Sequence, residues 1–283
     1  MIKKIIFVVL ITLILIFNLT VNYIDNNISK KQDSTIYNLE HKIWAARGLY
    51  KNRAEQNSIV SINRAFENGA LGVEVDFFYD VAMNRFIVSH DHPTKDKNGK
   101  LIYTTKNGEL LTLEKLFIQT AKNHYFWLDY KNLDKLSDAQ TYKAIERLEE
   151  ISKIYSTKER IYIEGSNPLK ISLYTDAGFK TILGIHPLHE SVIFSSVVIN
   201  AYKIAYFFRN ITALAMPYGS VENPIYGKNT QENLKNIPVF LFHIPDDENL
   251  LRDLVQKDDV RVMLVGRDQS INRYYIHKNL EAK

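Results

Sequence analysis

Short apolar, β-branched stretches alternate with helical patterns along most of the chain, and this alternation limits the fold more than any other feature. Apolar residues at helical spacing, with polar caps, predict helices at residues 58–68, 113–121 and 138–155, at 168–177, and after residue 247. Nine stretches have the length and composition of strands: residues 43–46, 72–78, 86–90, 125–130, 161–165, 181–185, 211–216, 239–243 and 260–265.

Strands that alternate with helices predict an α/β fold, and eight or nine of them predict a (β/α)8 TIM barrel. An open doubly wound sheet is the alternative. Residues 86–90 follow 72–78 too closely for a crossover helix, so we expect an extension or side hairpin there. The barrel is preferred because polar residues stand at the carboxyl ends of successive strands, where barrel active sites lie.

An apolar run from Ile5 to about Val21 follows Lys3 and Lys4. Its roughly 17 residues fall at the short end for a transmembrane helix, and the flanking lysines favour a cytoplasmic N-terminus with the rest translocated. No small-residue cleavage site is visible, so an uncleaved signal anchor is preferred over a cleaved signal peptide.

We therefore expect a signal anchor or signal peptide at residues 1–24, a polar linker at 25–40 and the barrel at 41–283. The barrel would be membrane-anchored outside the cytoplasm (periplasmic or at the cell surface), or secreted if the N-terminal segment is cleaved. The absence of cysteine excludes a disulfide framework and a lipidated cysteine. The formal net charge of +4 is small and its lysines are scattered, so no nucleic-acid partner is expected.

Two carboxylates, Glu74 and Asp76, stand two residues apart in an apolar, aromatic run. On a strand both point to one face, where burial of like charges needs compensation. A divalent cation, Ca²⁺ or Mg²⁺, would provide it, because these ions take oxygen ligands; surface acids on a strand edge are the simpler alternative. His90 ends the next apolar stretch and suits proton transfer near neutral pH.

Asp129 and Lys131 repeat the same-face spacing at the end of a later strand. They offer either a third oxygen ligand with a cation, or a structural ion pair. Arg47, at the end of the first strand, would bind a phosphate together with Lys131. A metal, two cations and a histidine indicate attack on a phosphodiester. We interpret the remaining strand-end and loop histidines as ordinary loop residues: His186, His189 and His243.

With these residues the chain resembles the glycerophosphodiester phosphodiesterase family, within the phospholipase-C-like phosphodiesterase barrels. The similarity covers roughly residues 43–270 and is most specific in the first 90 residues. The matching segments are Ala46-Arg47-Gly48, Glu55-Gln56-Asn57-Ser58, Glu74 with Asp76, His90-Asp91, Leu111-Thr112-Leu113-Glu114, Asp129-Tyr130-Lys131, Ser166-Asn167-Pro168 and Val265-Gly266-Arg267-Asp268.

The resemblance implies a phosphoric diester hydrolase that acts on a glycerophosphodiester or a related lipid headgroup. It implies a divalent cation, Ca²⁺ or Mg²⁺, as cofactor. Carried over residue by residue, it implies His90, Arg47 and Lys131 as catalytic residues and Glu74, Asp76 and Asp129 as metal ligands.

Two positions depart from the family pattern. Asp129 stands where the family has glutamate. The sphingomyelinase-D-type relatives also have aspartate, in an Asp-x-Lys pattern. Ala46 stands where the family has one of its two catalytic histidines, and loss of one acid or base costs roughly 10²- to 10⁴-fold in rate. His92 is the nearest replacement. A pseudoenzyme that binds a phosphorylated ligand or partner without cleaving it is therefore the alternative, and a lyase-like relative that forms a cyclic phosphate is a third possibility.

Overall fold

The computed structural model describes residues 1–31, 36, 41–106, 108–120 and 123–266. Its strands are β1 (Ile43–Ala46), β2 (Gly72–Asp80), β3 (Arg85–Val88), β4 (Thr94–Lys95), β5 (Leu101–Ile102), β6 (Tyr125–Tyr130), β7 (Ile161–Gly165), β8 (Lys180–Gly184), β9 (Ala213–Pro217), β10 (Val239–Phe242) and β11 (Val260–Val265). Its α-helices are α1 (Ile2–Asn27), α2 (Ile59–Glu67), α3 (Leu113–Thr120), α4 (Asp138–Tyr155), α5 (Pro168–Asp176), α6 (Ser195–Phe208), α7 (Lys228–Leu234) and α8 (Glu248–Gln256).

Eight strands pair in parallel in the order β1-β11-β10-β9-β8-β7-β6-β2. Strand β1 also pairs in parallel with β2, and this pairing closes the sheet into a barrel. The TIM-barrel prediction is confirmed, and the open doubly wound alternative is wrong. Strand β3 pairs antiparallel with the end of β2, as the short connection between them predicted.

Aromatic side chains fill the inside of the barrel. Trp44, Trp127 and Tyr162 are buried there and pack with Phe240. Gly72 makes room for Trp44, because a Cβ atom on this glycine would lie 2.5 Å from the indole ring. The outward faces of the strands pack on the helices through a second, larger group of aliphatic residues. Both faces of the parallel barrel strands are thus largely buried, as parallel sheets require.

Helices α6 and α7 were not predicted. In α6 the apolar residues are distributed around the helix, so polar residues do not recur every 3.6 residues as they do in a solvated helix. In addition, its N-cap residue Phe194 makes no side-chain capping bond. Helix α7 has only 7 residues, and its N-cap residue Gly227 makes no side-chain hydrogen bond to the first turn. The predicted helices α4 and α5, by contrast, begin at Ser137 and Asn167, whose side chains cap the first turn.

The N-terminal apolar segment is helical. The span Ile2–Lys30, 29 residues, is long and apolar enough to cross a membrane by length and composition. The helix continues into the expected linker, where Asp25 forms ion pairs with Lys203 (2.7 Å) and Lys235 (2.8 Å). Residues 32–35 and 37–40 of the expected linker lie outside the described residues, as do residues 267–283 of the expected barrel, which include Arg267 and Asp268.

Candidate functional site

The carboxyl ends of β1, β2 and β6 lie side by side and bring the predicted residues together. Ala46 is in register with Glu74, and Asp76 is in register with Asp129. Arg47 and Lys131 follow the ends of β1 and β6 directly. Residues two apart on a strand share a face, so the pairing of β2 with β6 gathers three acids and a lysine on one side of the barrel mouth.

Three of these side chains form a cluster of carboxylates. Glu74, Asp76 and Asp129 each offer an oxygen atom, and these three atoms lie within 4.8 Å of one another. Asp76 is fully buried and Glu74 is 5% exposed. Burial, with repulsion from Asp76 and Asp129, raises the pKa of Glu74 well above its ordinary value. Like charges this close need a cation before all of them ionise.

Two basic side chains contact the cluster. Arg47 Nε lies 2.8 Å from Asp76 Oδ2, and Lys131 Nζ forms ion pairs with Asp129 and with Asp76 Oδ1, the latter at 2.5 Å. Burial alone would lower the pKa of Lys131, but Asp129 and Asp76 raise it above its ordinary value. Both basic groups therefore carry a positive charge at neutral pH, at the place where a phosphate would need it.

Asp76 is held in place by an amide side chain that the sequence did not single out. Asn57 Nδ2 donates to Asp76 Oδ2 (2.7 Å), and the Asp76 backbone N–H donates to Asn57 Oδ1 (3.1 Å). Asn57 is 1% exposed and has a positive φ of 53°, a conformation that asparagine tolerates better than most residues. The only sequence signal was its place in the Glu55-Gln56-Asn57-Ser58 segment.

The second oxygen of Asp76 identifies the kind of ligand that fits the cluster. Asp76 Oδ1 is buried, and it faces the Lys131 ammonium at 2.5 Å without a hydrogen bond from any other described residue. A buried carboxylate oxygen compensated by charge alone, beside two further carboxylates, belongs to a donor set that Ca²⁺ or Mg²⁺ takes. The residues present therefore fit a divalent cation.

His90 follows the carboxyl end of β3, next to a residue that is bonded to the backbone of Asp76. The backbone N–H of Ser89 donates to the Asp76 carbonyl oxygen (3.0 Å), which fixes the start of the His90 loop beside β2. His90 Nδ1 lies 3.2 Å from Asp91 Oδ1, and Arg53 contacts the same oxygen at 3.3 Å. The bond to His90, followed by Arg53, lowers the pKa of the Asp91 carboxyl. The carboxylate thus orients the imidazole, as in other proton-transfer sites.

Comparisons with known proteins identify the fold. No protein-family model matches the sequence, and no curated protein matches it. The solved glycerophosphodiester phosphodiesterase of Parabacteroides distasonis has a TM-score of 0.57 at 19% identity, over 85% of this chain and 97% of that one. A phosphodiesterase of Oleispira antarctica, solved in complex with the product sn-glycerol-3-phosphate, has a TM-score of 0.62 at 13% identity, over 87% and 99%.

A glycerophosphodiester phosphodiesterase from Agrobacterium tumefaciens has a TM-score of 0.52 at 10% identity, over 83% of this chain and 98% of that chain. The fold is that of the glycerophosphodiester phosphodiesterases. At these identities the similarity concerns the backbone, so the roles of individual side chains depend on the geometry described for them.

Relative to the glycerophosphodiester phosphodiesterase pattern, the position of Ala46 is the chief departure. Ala46 ends β1 opposite Glu74, beside the carboxylates, and its methyl group can neither donate nor accept a proton. His92 does not fill this place, since its ring packs against Phe78 on the β3 side (ring centroids 5.3 Å apart). His41 precedes β1 at the opposite end of the strand.

His243 and His186, for which the sequence favours the role of ordinary loop histidines, lie just after the ends of β10 and β8 on the same rim. Burial lowers the pKa of His243, and the positive charge of Arg47 and the nearby His186 lower it further. His243 also has a positive φ of 49°, uncommon for a histidine and frequent at functional sites. The structure thus brings a neutral imidazole within electrostatic reach of Arg47.

A fourth acid, Glu164, stands next to Asp129 on β7. Trp127 Nε1 donates to Glu164 Oε2 (2.6 Å). Burial and the neighbouring Asp129 raise the pKa of Glu164 to about 8, so this acid is protonated at neutral pH. Glu164 is therefore an uncharged neighbour of Asp129 at neutral pH.

Proposed function

We propose that this chain is a divalent-cation-dependent phosphodiesterase that hydrolyses a glycerophosphodiester or a related lipid headgroup. The observation that carries the proposal is the joint presence of Glu74, Asp76 and Asp129 with Arg47 and Lys131 at one barrel mouth. Two buried carboxylates and a partly buried third, so close together, have no structural benefit without a cation. Two adjacent basic groups supply the complement to a phosphate.

Glu74, Asp76 and Asp129 would hold the cation, with Ca²⁺ and Mg²⁺ both compatible with three carboxylates. When bound, such an ion polarises a phosphoryl oxygen as a Lewis acid. Arg47 binds the non-bridging phosphate oxygens through the guanidinium nitrogens that do not contact Asp76, and Lys131 adds a point charge. The two basic residues thereby orient the phosphate and stabilise the negative charge that grows on it.

Hydrolysis of a phosphodiester needs one group that accepts a proton from water and another that protonates the leaving alcohol. We assign one of these roles to His90, oriented by Asp91. We assign the other to His243, which lies on the same rim and is neutral at pH 7. With both imidazoles in use, the absence of a histidine at Ala46 does not remove proton transfer from the site.

The substrate class is proposed from chemistry and from the neighbouring structures. One structural neighbour holds sn-glycerol-3-phosphate as its product, and the site proposed here would release a phosphomonoester of the same kind. The apolar helix α1 supports a location at a membrane with the barrel outside the cytoplasm. A lipid-derived phosphodiester is the substrate that both observations favour.

The full chain, purified in detergent, should be assayed on a panel of glycerophosphodiesters with Ca²⁺, Mg²⁺ or chelator. We expect turnover that chelator abolishes, and loss of this turnover in Glu74→Gln and Asp76→Asn. Glu109→Gln, which removes an exposed acid paired with Lys115, is the matched control and should keep activity. Turnover that persists in Glu74→Gln would refute the proposal. Phosphorus NMR of the products separates hydrolysis from a lyase reaction, since a lyase releases a cyclic phosphate.

Ala46 favours a second candidate function, a barrel that binds a phosphorylated ligand without cleaving it. In that case calorimetry with sn-glycerol-3-phosphate would show cation-dependent binding, while the substrate panel shows no product. Restoration of turnover by Ala46→His would then establish that a single proton-transfer group is missing. Turnover by the unaltered chain excludes this candidate.

A further inference from the structure

One side of the barrel, the side of α6, lacks the charged surface found elsewhere. Among its 14 residues α6 has one charged side chain, Lys203. That side chain is 1% exposed and forms an ion pair with Asp25 of α1. The exposed side chains of α6 itself therefore carry no charge, and the charges at its C-terminal end are basic: Lys31, over the rings of Tyr206 and Phe207, and the exposed C-cap residue Arg209.

The segment that leads into α6 adds exposed apolar residues. Ile193 is 87% exposed and Phe194 is 63% exposed, at the point where the chain turns into the helix. We define the α6 surface as the exposed apolar residues of this segment and of the helix: Leu188, Val192, Ile193, Phe194, Val197 and Phe208. Clusters of exposed apolar residues mark contact surfaces, whereas single ones are ordinary.

Helix α4, on another side of the same barrel, shows the contrast. Its exposed residues are mainly charged, as expected of a solvated helix. Two exposed large hydrophobic residues, Tyr142 and Ile154, stand among them. The exposed charged residues are Asp138, Lys143, Glu146, Glu149, Glu150 and Lys153.

Helix α1 meets the barrel at α6. The ring of Tyr23 packs edge-on against Phe207 (centroids 6.0 Å apart), and Ile24 is fully buried in the contact region. Asp25 binds Lys203 of α6 and Lys235 just after α7. The one described helix that is apolar enough to cross a membrane is therefore attached to the side of the barrel that presents the apolar α6 surface.

We propose that the α6 surface rests on the lipid bilayer in which α1 is inserted. Aromatic and aliphatic side chains such as Phe194 and Ile193 enter the headgroup region favourably, and a charge-free helix surface loses little by leaving water. Residues 185–194 follow the carboxyl end of β8, so this contact would place the barrel mouth at the level of the headgroups. The proposal concerns a lipid contact and does not require that the site hydrolyse anything.

The natural chain has no cysteine, which allows single labels. Ile193→Cys carries an environment-sensitive fluorophore in the α6 surface. Ile154→Cys is the matched control, an isoleucine that is 68% exposed on α4. The full-length variants are reconstituted into phosphatidylcholine–phosphatidylglycerol vesicles with and without spin-labelled lipid. We expect a blue-shifted emission and at least twofold quenching at position 193, and neither at position 154.

Phe208→Cys, at the end of α6 and 57% exposed, provides a second label in the same surface and should also be quenched. Absence of quenching at 193 and 208 would overturn the proposal. Equal quenching at 154 would do so as well, because the barrel would then adsorb without orientation. Crosslinking between two copies through position 193, without quenching by lipid, would assign the surface to a second copy of the chain. None of these fluorescence and crosslinking measurements depends on turnover, so the lipid-contact proposal is tested independently of the phosphodiesterase proposal.

Discussion

Asn57 and Asp76 are joined by two hydrogen bonds in opposite directions, so a single amide fixes both the backbone and the carboxylate of the most buried acid of the site. This amide orients Asp76 Oδ2, while Oδ1 faces the Lys131 ammonium at 2.5 Å. Groups that orient a metal ligand are commonly worth 10- to 100-fold in metal affinity. Asn57 is therefore a positioning residue for the proposed cation.

Asn57→Gly removes the amide without strain, because glycine accepts the positive φ of this position. We expect cation affinity, measured by calorimetry, to fall by about 10- to 100-fold. Asn132→Ala is the matched control, since Asn132 makes the same reciprocal pair with the backbone of Tyr79 farther along β2. It should lower stability similarly and leave cation affinity intact; equal loss of affinity in both variants would contradict the assignment.

His90→Ala should lower kcat by roughly 10²- to 10⁴-fold, the usual effect of a positioned acid or base. We expect His243→Ala to lower kcat within the same range while KM changes little. His124→Gln is the control, because the His124 ring stacks on Phe66 (3.7 Å between centroids) away from the rim. An unchanged kcat in His243→Ala would show that His243 takes no part in proton transfer, and the assignment would then hold for His90 only.

The lowered pKa of His243 also has a consequence for the pH profile. An imidazole with a lowered pKa keeps its basic form to more acidic pH, so activity should decline only below pH 6.5, the ordinary histidine value. His243→Ala should abolish or displace this acid limb. A limb that stays in place in the variant would assign it to another group.

The raised pKa of Glu164 predicts how the stability of the metal-free protein changes with pH. This pKa is raised from 4.5 to about 8, so the folded protein holds a proton that the unfolded chain releases above pH 4.5. The resulting contribution to stability is complete below pH 4.5 and is lost as the pH rises to about 8. Glu164→Gln removes this loss while keeping an acceptor for Trp127. Urea unfolding in chelator should show a decline between pH 5 and 8 that is smaller in the variant by at least about 1 kcal/mol; equal slopes would contradict the raised pKa.

We expect substitution of Gly48 to lower the stability of the fold. The φ of Gly48 is 78°, and a Cβ atom would lie 2.6 Å from the Ser61 carbonyl carbon and 2.8 Å from the Ile62 nitrogen. We expect Gly48→Ala to destabilise the fold by about 3 kcal/mol or more, because strain and a backbone clash combine. Gly99→Ala has the same sign of φ with open space around it and should cost only about 1 kcal/mol, from φ strain alone. Thermal unfolding of the two variants separates these contributions.

The sequence predicted the parts of this molecule that depend on local periodicity and on residue spacing. The same-face acids of β2 and β6, the capped helices α4 and α5, and the closed barrel all follow from short-range patterns and strand order. Helix α6 was missed because its outward surface is apolar, which removes the polar period that marks a solvated helix. The surroundings of Asn57 and His243 could not be predicted, because the contact of Asn57 with Asp76 and the proximity of His243 to Arg47 join segments that are distant in sequence.

The ion pairs of Arg47 and Lys131 with Asp76 determine the sign of the electric potential at the barrel mouth. Without an ion, burial and the neighbouring carboxylates keep Glu74 protonated, so Asp76 and Asp129 balance Arg47 and Lys131, and the mouth offers a phosphodiester no net positive charge. A divalent ion allows Glu74 to ionise and leaves the mouth with a net positive charge. The ion and the substrate should therefore bind in a compulsory order, the ion first, and the affinity for an anionic ligand should switch from negligible to measurable as the ion concentration rises.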